Sequence, residues 1–195
     1  MRIIHLSDLH ICMEHRFQNI KNVELLLSNA IKAAADHIII TGDISHLGRK
    51  EDFIIFRELL KQYNLLNPLK VSVIIGNHDI FGGVHFAEEI WNFPGSCRQI
   101  DYQDRVKNFI DSFTELFENT IMVDTSNPFP YAKIIEDHAF IGLNSIAEYS
   151  WFKNPMASNG ELGNRQLDNL EELLQDSRLV DKKKVLMVHH HFGLE

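Results

Sequence analysis

The chain has few cysteines and no long apolar run, and each shortage argues against a class of protein. Its two cysteines, Cys12 and Cys97, are far apart and form no CxxC pair, which argues against a disulfide framework and a thiolate zinc site. No apolar stretch approaches the length of a membrane span, and the strand-like run at the start reaches polar residues by Ser7, too soon for the apolar core of a secretion signal. We therefore expect a cytoplasmic protein without a membrane partner.

Clusters of basic residues are also scarce. Asp and Glu number 27 against 19 Lys and Arg, which gives a net charge of −8. The only run of cations is 182–184. Because non-specific binding to nucleic acids depends on clustered cations, we expect no nucleic-acid partner. An anionic substrate would then have to be attracted by something other than protein charge, such as a bound metal ion.

Short β-branched runs alternate with helical patterns along a chain of 195 residues, a length typical of one domain. We predict buried parallel strands at 3–6, 38–40, 71–75 and 185–188, and an antiparallel hairpin at 131–135 and 139–143. Apolar residues at helical spacing predict helices within 20–34, 53–63, 106–117 and 167–174, the third lying beside the sheet. This order predicts βαβ units with right-handed crossovers in an α/β domain.

Polar residues follow each predicted parallel strand. They are Asp8 and His10, then Asp43, then Asn77, His78 and Asp79, and finally His189, His190 and His191. Since ligands of open α/β sheets bind outside the carboxyl ends of the strands, we expect these side chains to meet at one edge of the sheet. Gly42 and Gly76 directly precede two of them, where a tight turn needs a residue without a Cβ.

These side chains offer oxygen and nitrogen donors and no thiolate. Such a set suits Mn, Fe or Zn in five- or six-coordination better than a closed structural zinc site. An Asp between two ions can bridge them, and a pair of ions can offset charge on both the entering and the leaving oxygen of a phosphoryl group. Each short motif alone is also typical of an ordinary turn. Their ordered placement at successive strand ends favours the metal site.

The same motifs resemble those of the calcineurin-like metallophosphoesterase superfamily. The resemblance covers almost the whole chain and implies a four-layer α/β/β/α sandwich of mixed sheets. Residues 42–45, 143–145 and 160–170 are further similar to the branch that contains class III cyclic-nucleotide phosphodiesterases. The resemblance implies hydrolysis of small phosphomonoesters or phosphodiesters by a hydroxide bound to two divalent or trivalent ions.

The resemblance also implies a role for each residue. Asp8 and His10 would bind the first ion, Asp43 would bridge both, and Asn77 and His189 would bind the second. His78 would contact the phosphate and protonate the leaving alkoxide. Asp79 would orient His78 through a hydrogen bond. His190 and His191 are alternatives to His189, and strand alternation points His190 to the opposite side. His46 lies near Asp43 and could face the pocket, but we favour a solvated loop histidine.

The chain departs from the family in one respect. The family ends with a Gly-His-x-His motif that supplies one ligand to each metal, and this sequence does not contain it. Either the chain is a truncated form of a longer protein, or the two ligands come from elsewhere. Of the two, we expect 1–195 to be a single, C-terminally truncated domain whose sheet lacks its last strands. Its exposed edge could pair with a second copy to form a homo-oligomer. The alternative function is a catalytically weak or inactive scaffold that uses the same fold to bind other proteins.

Overall fold

A computed structural model describes residues 1–191. The strands in this range are β1 (Ile3–Leu6), β2 (His37–Thr41), β3 (Val71–Ile74), β4 (Ile121–Met122), β5 (Tyr131–Ile135), β6 (His138–Gly142) and β7 (Lys183–Met187). The α-helices described there are α1 (Phe17–Lys32), α2 (Lys50–Gln62), α3 (Asn77–Phe81), α4 (Phe93–Arg98), α5 (Tyr102–Ser112) and α6 (Asn164–Leu174). Short 3-10 helices lie at Ala87–Trp91 and Thr114–Phe117.

Two sheets make up the centre of the fold. The first is parallel, with the order β1-β2-β3. The second has the order β4-β5-β6-β7, antiparallel up to β6 and parallel between β6 and β7. All five residues of the central strand β2 are buried, as expected for a β-branched strand covered on both faces.

The two sheets pack face to face, and the period-two alternation of β5 decides which side chains lie between them. Tyr131 and Lys133 point toward the first sheet, where they donate hydrogen bonds to the carbonyls of Val73 and Val71, both at 2.8 Å. Ala132 faces the other way and packs in a cluster with Leu173 of α6. Helices α1 and α2 cover the outer face of the first sheet. The predicted four-layer α/β/β/α sandwich is therefore confirmed.

The last predicted strand differs from the expectation. β7 pairs with β6 in the second sheet, and not with the strands that carry Asp8, Asp43 and Asn77. It is also not buried, since Leu186 is 45% exposed. The physical reason is that β7 forms an edge of its sheet within residues 1–191, so one of its sides has no neighbouring strand.

Two predicted helices also differ in extent. The pattern over 20–34 runs past the end of α1, and Ile31 lies exposed. The segment 106–117 is interrupted at Phe113, because the hydroxyls of Ser112 and Thr114 bond to carbonyls of the preceding turn and compete with the helix. α5 packs on α2, where the rings of Phe113 and Phe53 are 5.6 Å apart. No helix described within 1–191 is long and apolar enough to cross a membrane.

Candidate metal centre

The loops after β1 and β2 run side by side and carry Asp8, His10 and Asp43. The amides of Asp8 and His10 donate to the carbonyls of Gly42, at 3.2 Å, and of Asp43, at 2.9 Å. The strand pairing thus continues beyond the strands themselves. Asn77 begins α3, three residues after β3 ends. The expected meeting of these three strand ends is observed.

Three of the predicted ligands have a left-handed backbone. The φ angles are +56° at Asp8, +45° at His10 and +52° at Asp43. Positive φ is uncommon outside glycine and costs free energy, so it persists where the surrounding structure demands it, often at functional sites. No sequence motif indicated this backbone strain.

Gly42 and Gly76 lie where the two ligand-bearing loops approach each other. Gly42 has φ +91°, and a Cβ there would lie 2.7 Å from the Cα of Gly76 and from Nδ1 of His189. A Cβ at Gly76 would overlap with Oδ1 of Asp43. Both positions therefore require glycine, as the sequence predicted.

The predicted ligands form two groups that share Asp43. In the first group, Nε2 of His10 lies 3.9 Å from Oδ1 of Asp8 and 3.8 Å from Oδ2 of Asp43. In the second, Nε2 of His189 lies 3.0 Å from Oδ1 of Asn77 and 3.6 Å from Oδ1 of Asp43. The two carboxylate oxygens of Asp43 thus face different groups. This arrangement fits a carboxylate that bridges two cations.

The second group is made of acceptors that face one another. Nδ1 of His189 lies 2.8 Å from the carbonyl oxygen of Thr41, and donating to it leaves the lone pair of the ring on Nε2. That lone pair points toward the amide oxygen of Asn77 and the carboxylate of Asp43. Three acceptors without a shared proton repel one another unless a cation lies among them. These three lone-pair-bearing atoms are therefore suited to bind a metal ion.

His10 offers Nε2 to the first group. Its other ring nitrogen, Nδ1, points in a different direction and is buried without a hydrogen-bond partner among the described residues. An ion bound to Nε2 would leave Nδ1 to be satisfied by water. Burial lowers the pKa of His10, and the neighbouring His78 lowers it further, while Asp43 raises it. The net effect favours the neutral ring, which is the form that binds metals.

His78 lies beside both groups and faces a cavity. Its backbone amide donates to Oδ1 of Asp43 at 2.9 Å, and its Nδ1 lies 3.0 Å from the carbonyl oxygen of His46. Donation from Nδ1 to that carbonyl leaves Nε2, which is 4.0 Å from Oδ2 of Asp43, available to a substrate. The ring contacts that of His10, with centroids 4.6 Å apart.

The predicted hydrogen bond from Asp79 to the ring of His78 is wrong. The carboxylate of Asp79 accepts hydrogen bonds from the amides of Ser45, at 2.8 Å, and Gly76, at 2.9 Å. The His46 carbonyl takes the position next to the His78 ring instead. Burial raises the pKa of Asp79, and the charge of nearby Asp43 raises it further. Asp79 thus joins the two loops that carry Asp43 and Asn77.

The expectation of a solvated His46 is also wrong. Its side chain is buried, at 2% exposure, and both ring nitrogens lack a partner among the described residues. One ligand atom each from His10, His46 and His78 lie within 4.8 Å of one another. Arg16 lines the same cavity and went unnoticed in the sequence. No recognisable motif encodes the path of the loop that brings Arg16 to this cavity.

The two alternatives to His189 lie away from the ligand groups. Nδ1 of His190 is 3.0 Å from the hydroxyl of Ser145, and its Nε2 is 3.1 Å from the carbonyl oxygen of Ser158. His191 is exposed. Strand alternation does not apply to these residues, because β7 ends before them. The structure brings His189 to Asp43 and Asn77.

Comparisons with known proteins identify a family and a similar fold. The family model described as calcineurin-like phosphoesterase matches residues 1–195. Among solved structures, a dimetal phosphatase from Danio rerio is similar in fold, with a TM-score of 0.50 and 10% sequence identity, over 96% of this chain and 68% of that one. No curated protein sequence matches significantly. The family match extends over the strands and loops that carry both ligand groups, and the chain belongs to the calcineurin-like phosphoesterase family.

Proposed function

We propose that the chain is a phosphoesterase that hydrolyses phosphomonoesters or phosphodiesters with the help of two metal ions. One ion would be held by Asp8, His10 and Asp43, and the other by Asp43, Asn77 and His189. The observation that carries the proposal is the position of Asp43, whose two oxygens lie 3.8 Å from His10 and 3.6 Å from His189. The oxygen and nitrogen donors suit Mn, Fe or Zn.

The ions, when bound, supply positive charge for a phosphoryl oxygen and lower the pKa of a water molecule, so that a nucleophile is available near neutral pH. No serine or cysteine nucleophile is then required. Hydrolysis joins the oxygen of water to phosphorus and breaks the ester P–O bond. The departing alkoxide needs a proton.

His78 is the residue proposed to provide that proton. Its Nδ1 is engaged by the carbonyl oxygen of His46, at 3.0 Å, so the ring is held in one orientation. Its Nε2 is then the nitrogen that exchanges protons with a ligand in the cavity. The backbone bond from His78 to Asp43 fixes this donor relative to the proposed bridging ligand.

Asp79 is proposed as a positioning residue. Its carboxylate holds the amides of Ser45 and Gly76, which flank Asp43 and Asn77 in the sequence. Loss of these bonds would let the two loops separate and change the spacing of both ligand groups. Asp79 would therefore act on metal affinity and not on proton transfer.

A hydrolysis assay with added Mn tests the proposal. The substrates are 4-nitrophenyl phosphate and its methyl diester, which share a leaving group. Asp43→Asn keeps the shape of the side chain and should abolish turnover together with bound metal. Asp168→Asn is the matched control, since Asp168 is exposed on α6 and lies outside both ligand groups. Failure of the wild-type chain to hydrolyse either ester while it binds metal would favour the scaffold function.

A further inference from the structure

A cavity of about 360 Å³ opens next to the proposed metal centre. Its lining includes His10, Asn77 and His78, and also Arg16 and His46, to whose side chains the proposed reaction gives no role. The volume is within the range of pockets that hold small ligands, which starts at about 300 Å³. A substrate that extends from the metal centre into this cavity would lie beside Arg16 and His46.

Arg16 is held close to the first ligand group. It is the residue before α1, and its carbonyl accepts a hydrogen bond of 2.8 Å from the amide of Asn19. The side chain of Asn19 in turn donates to the carbonyls of Leu9, at 3.3 Å, and His10, at 3.0 Å. The start of the helix is thus tied to the loop that carries Asp8 and His10.

The guanidinium of Arg16 has no carboxylate partner within residues 1–191. Its side chain also makes no capping bond to the helix that it precedes. An arginine is always charged and offers five N–H donors, so an unpaired one on a cavity wall favours an anionic ligand.

The buried, unpartnered ring of His46 is a second, independent observation that favours a ligand in this cavity. Its ring is buried beside His78, with the ring centroids 5.3 Å apart, and neither of its nitrogens finds a partner among the described residues. A neutral imidazole always carries one N–H group. A buried donor without an acceptor is destabilising, and a bound ligand oxygen would accept its hydrogen bond.

We propose that Arg16 and His46 bind the third terminal oxygen of a phosphomonoester, so that this site prefers monoesters to diesters. The inference rests on the proposed function and adds the substrate class to it. A monoester phosphate has three terminal oxygens and carries a charge of about −1.5 to −2 at pH 7. In a diester the third oxygen is bonded to carbon and carries no charge. Arg16 and His46 would then contact an uncharged ester group.

The test compares Arg16→Gln with the wild-type chain on 4-nitrophenyl phosphate and on its methyl diester, with Mn added. Hydrogen bonds to charged groups contribute about 1.5–3 kcal/mol, so kcat/KM for the monoester should fall by about 10- to 100-fold, mainly through KM. The diester should change by less than about threefold, because it lacks the charged third oxygen. The control is Arg98→Gln, which removes the same charge from an exposed position on α4.

A second measurement does not depend on turnover. Inorganic phosphate and dimethyl phosphate are titrated into the Mn-loaded proteins by calorimetry. Arg16→Gln, and separately His46→Leu, should weaken phosphate binding by about 10- to 100-fold and leave dimethyl phosphate binding unchanged. If the wild-type chain hydrolyses neither ester but shows this pattern, the proposed function fails and the anion subsite stands.

Three results would overturn the inference. The first is an equal decrease in kcat/KM for the monoester and the diester in Arg16→Gln. The second is a decrease in kcat/KM for the monoester no larger than that of Arg98→Gln. The third is the absence of phosphate binding to the Mn-loaded wild-type protein. Arg16 is only half-buried, so its substitution tests the subsite even if His46→Leu does not fold.

Discussion

Lys133 should make the stability of the fold depend strongly on pH. It lies between the two sheets with 2% of its surface exposed, and its Nζ donates a single hydrogen bond of 2.8 Å to the carbonyl of Val71. Burial lowers the pKa of this lysine from 10.5 to about 7. One pKa unit corresponds to about 1.4 kcal/mol, so keeping the charged form buried costs on the order of 5 kcal/mol.

The sign follows from proton binding. In the unfolded chain the lysine keeps its proton up to about pH 10.5, whereas the folded chain releases it near pH 7. Between these values the unfolded state binds more protons, so the free energy of unfolding rises with pH, by at most about 1.4 kcal/mol per pH unit. Below pH 7 the full cost of the buried charge is present.

Lys133→Met removes the titrating group and keeps the length of the side chain. We expect the free energy of unfolding at pH 7 to increase by about 1–4 kcal/mol, since the unpaired carbonyl of Val71 offsets part of the gain. The difference between the two proteins should shrink as the pH rises from 7 to 9. Other titrating groups are shared and cancel in this difference.

Urea denaturation followed by circular dichroism measures the effect. Tryptophan fluorescence is a poor probe, because Trp91 and Trp151 are already exposed in the folded chain. Lys153→Met, at an exposed position, is the control and should leave stability and its pH dependence unchanged. A constant difference between wild type and Lys133→Met from pH 7 to 9, or a destabilised variant, would refute the reasoning.

Three further outcomes are expected. His78→Ala should lower turnover and leave metal content largely intact, whereas Asp43→Asn should lose both; equal metal loss by elemental analysis would contradict the assigned roles. Gly76→Ala should reduce metal content, because its methyl group would overlap with Asp43 Oδ1, and full metal content would show that the loops adapt. Burial lowers the pKa of His37 to about 4. Urea denaturation should therefore show that the free energy of unfolding decreases by up to about 3 kcal/mol as the pH falls from 6.5 to 4, with a smaller decrease in His37→Gln.

The strands of the first sheet could be predicted because their environment is simple. β2 is covered on both faces, and its run of isoleucines is typical of a strand buried in this way. β7 could not be assigned to its sheet, because a short apolar run does not specify which neighbour it pairs with. Its neighbour β6 is separated from it by α6, a connection that the local pattern does not encode.

The meeting of the candidate ligands could be predicted for a similar reason. Asp8, Asp43 and Asn77 each follow a parallel strand of one sheet, and the topology of that sheet alone brings such residues together. His46 and Arg16 lie in loops whose path depends on tertiary contacts, such as the bond from Asn19 to His10. The role of Asp79 was misjudged because the resemblance implied a bond to His78, as carboxylates often make to imidazoles, whereas backbone amides occupy the carboxylate here.

The central claim is that two cations lie on opposite sides of the Asp43 carboxylate. Anomalous diffraction from crystals of the Mn-loaded chain tests it directly. We expect two peaks, one between Asp8 and His10 and the other between Asn77 and His189, both next to Asp43. A single peak, or a peak among His10, His46 and His78 without one at Asn77, would contradict the account.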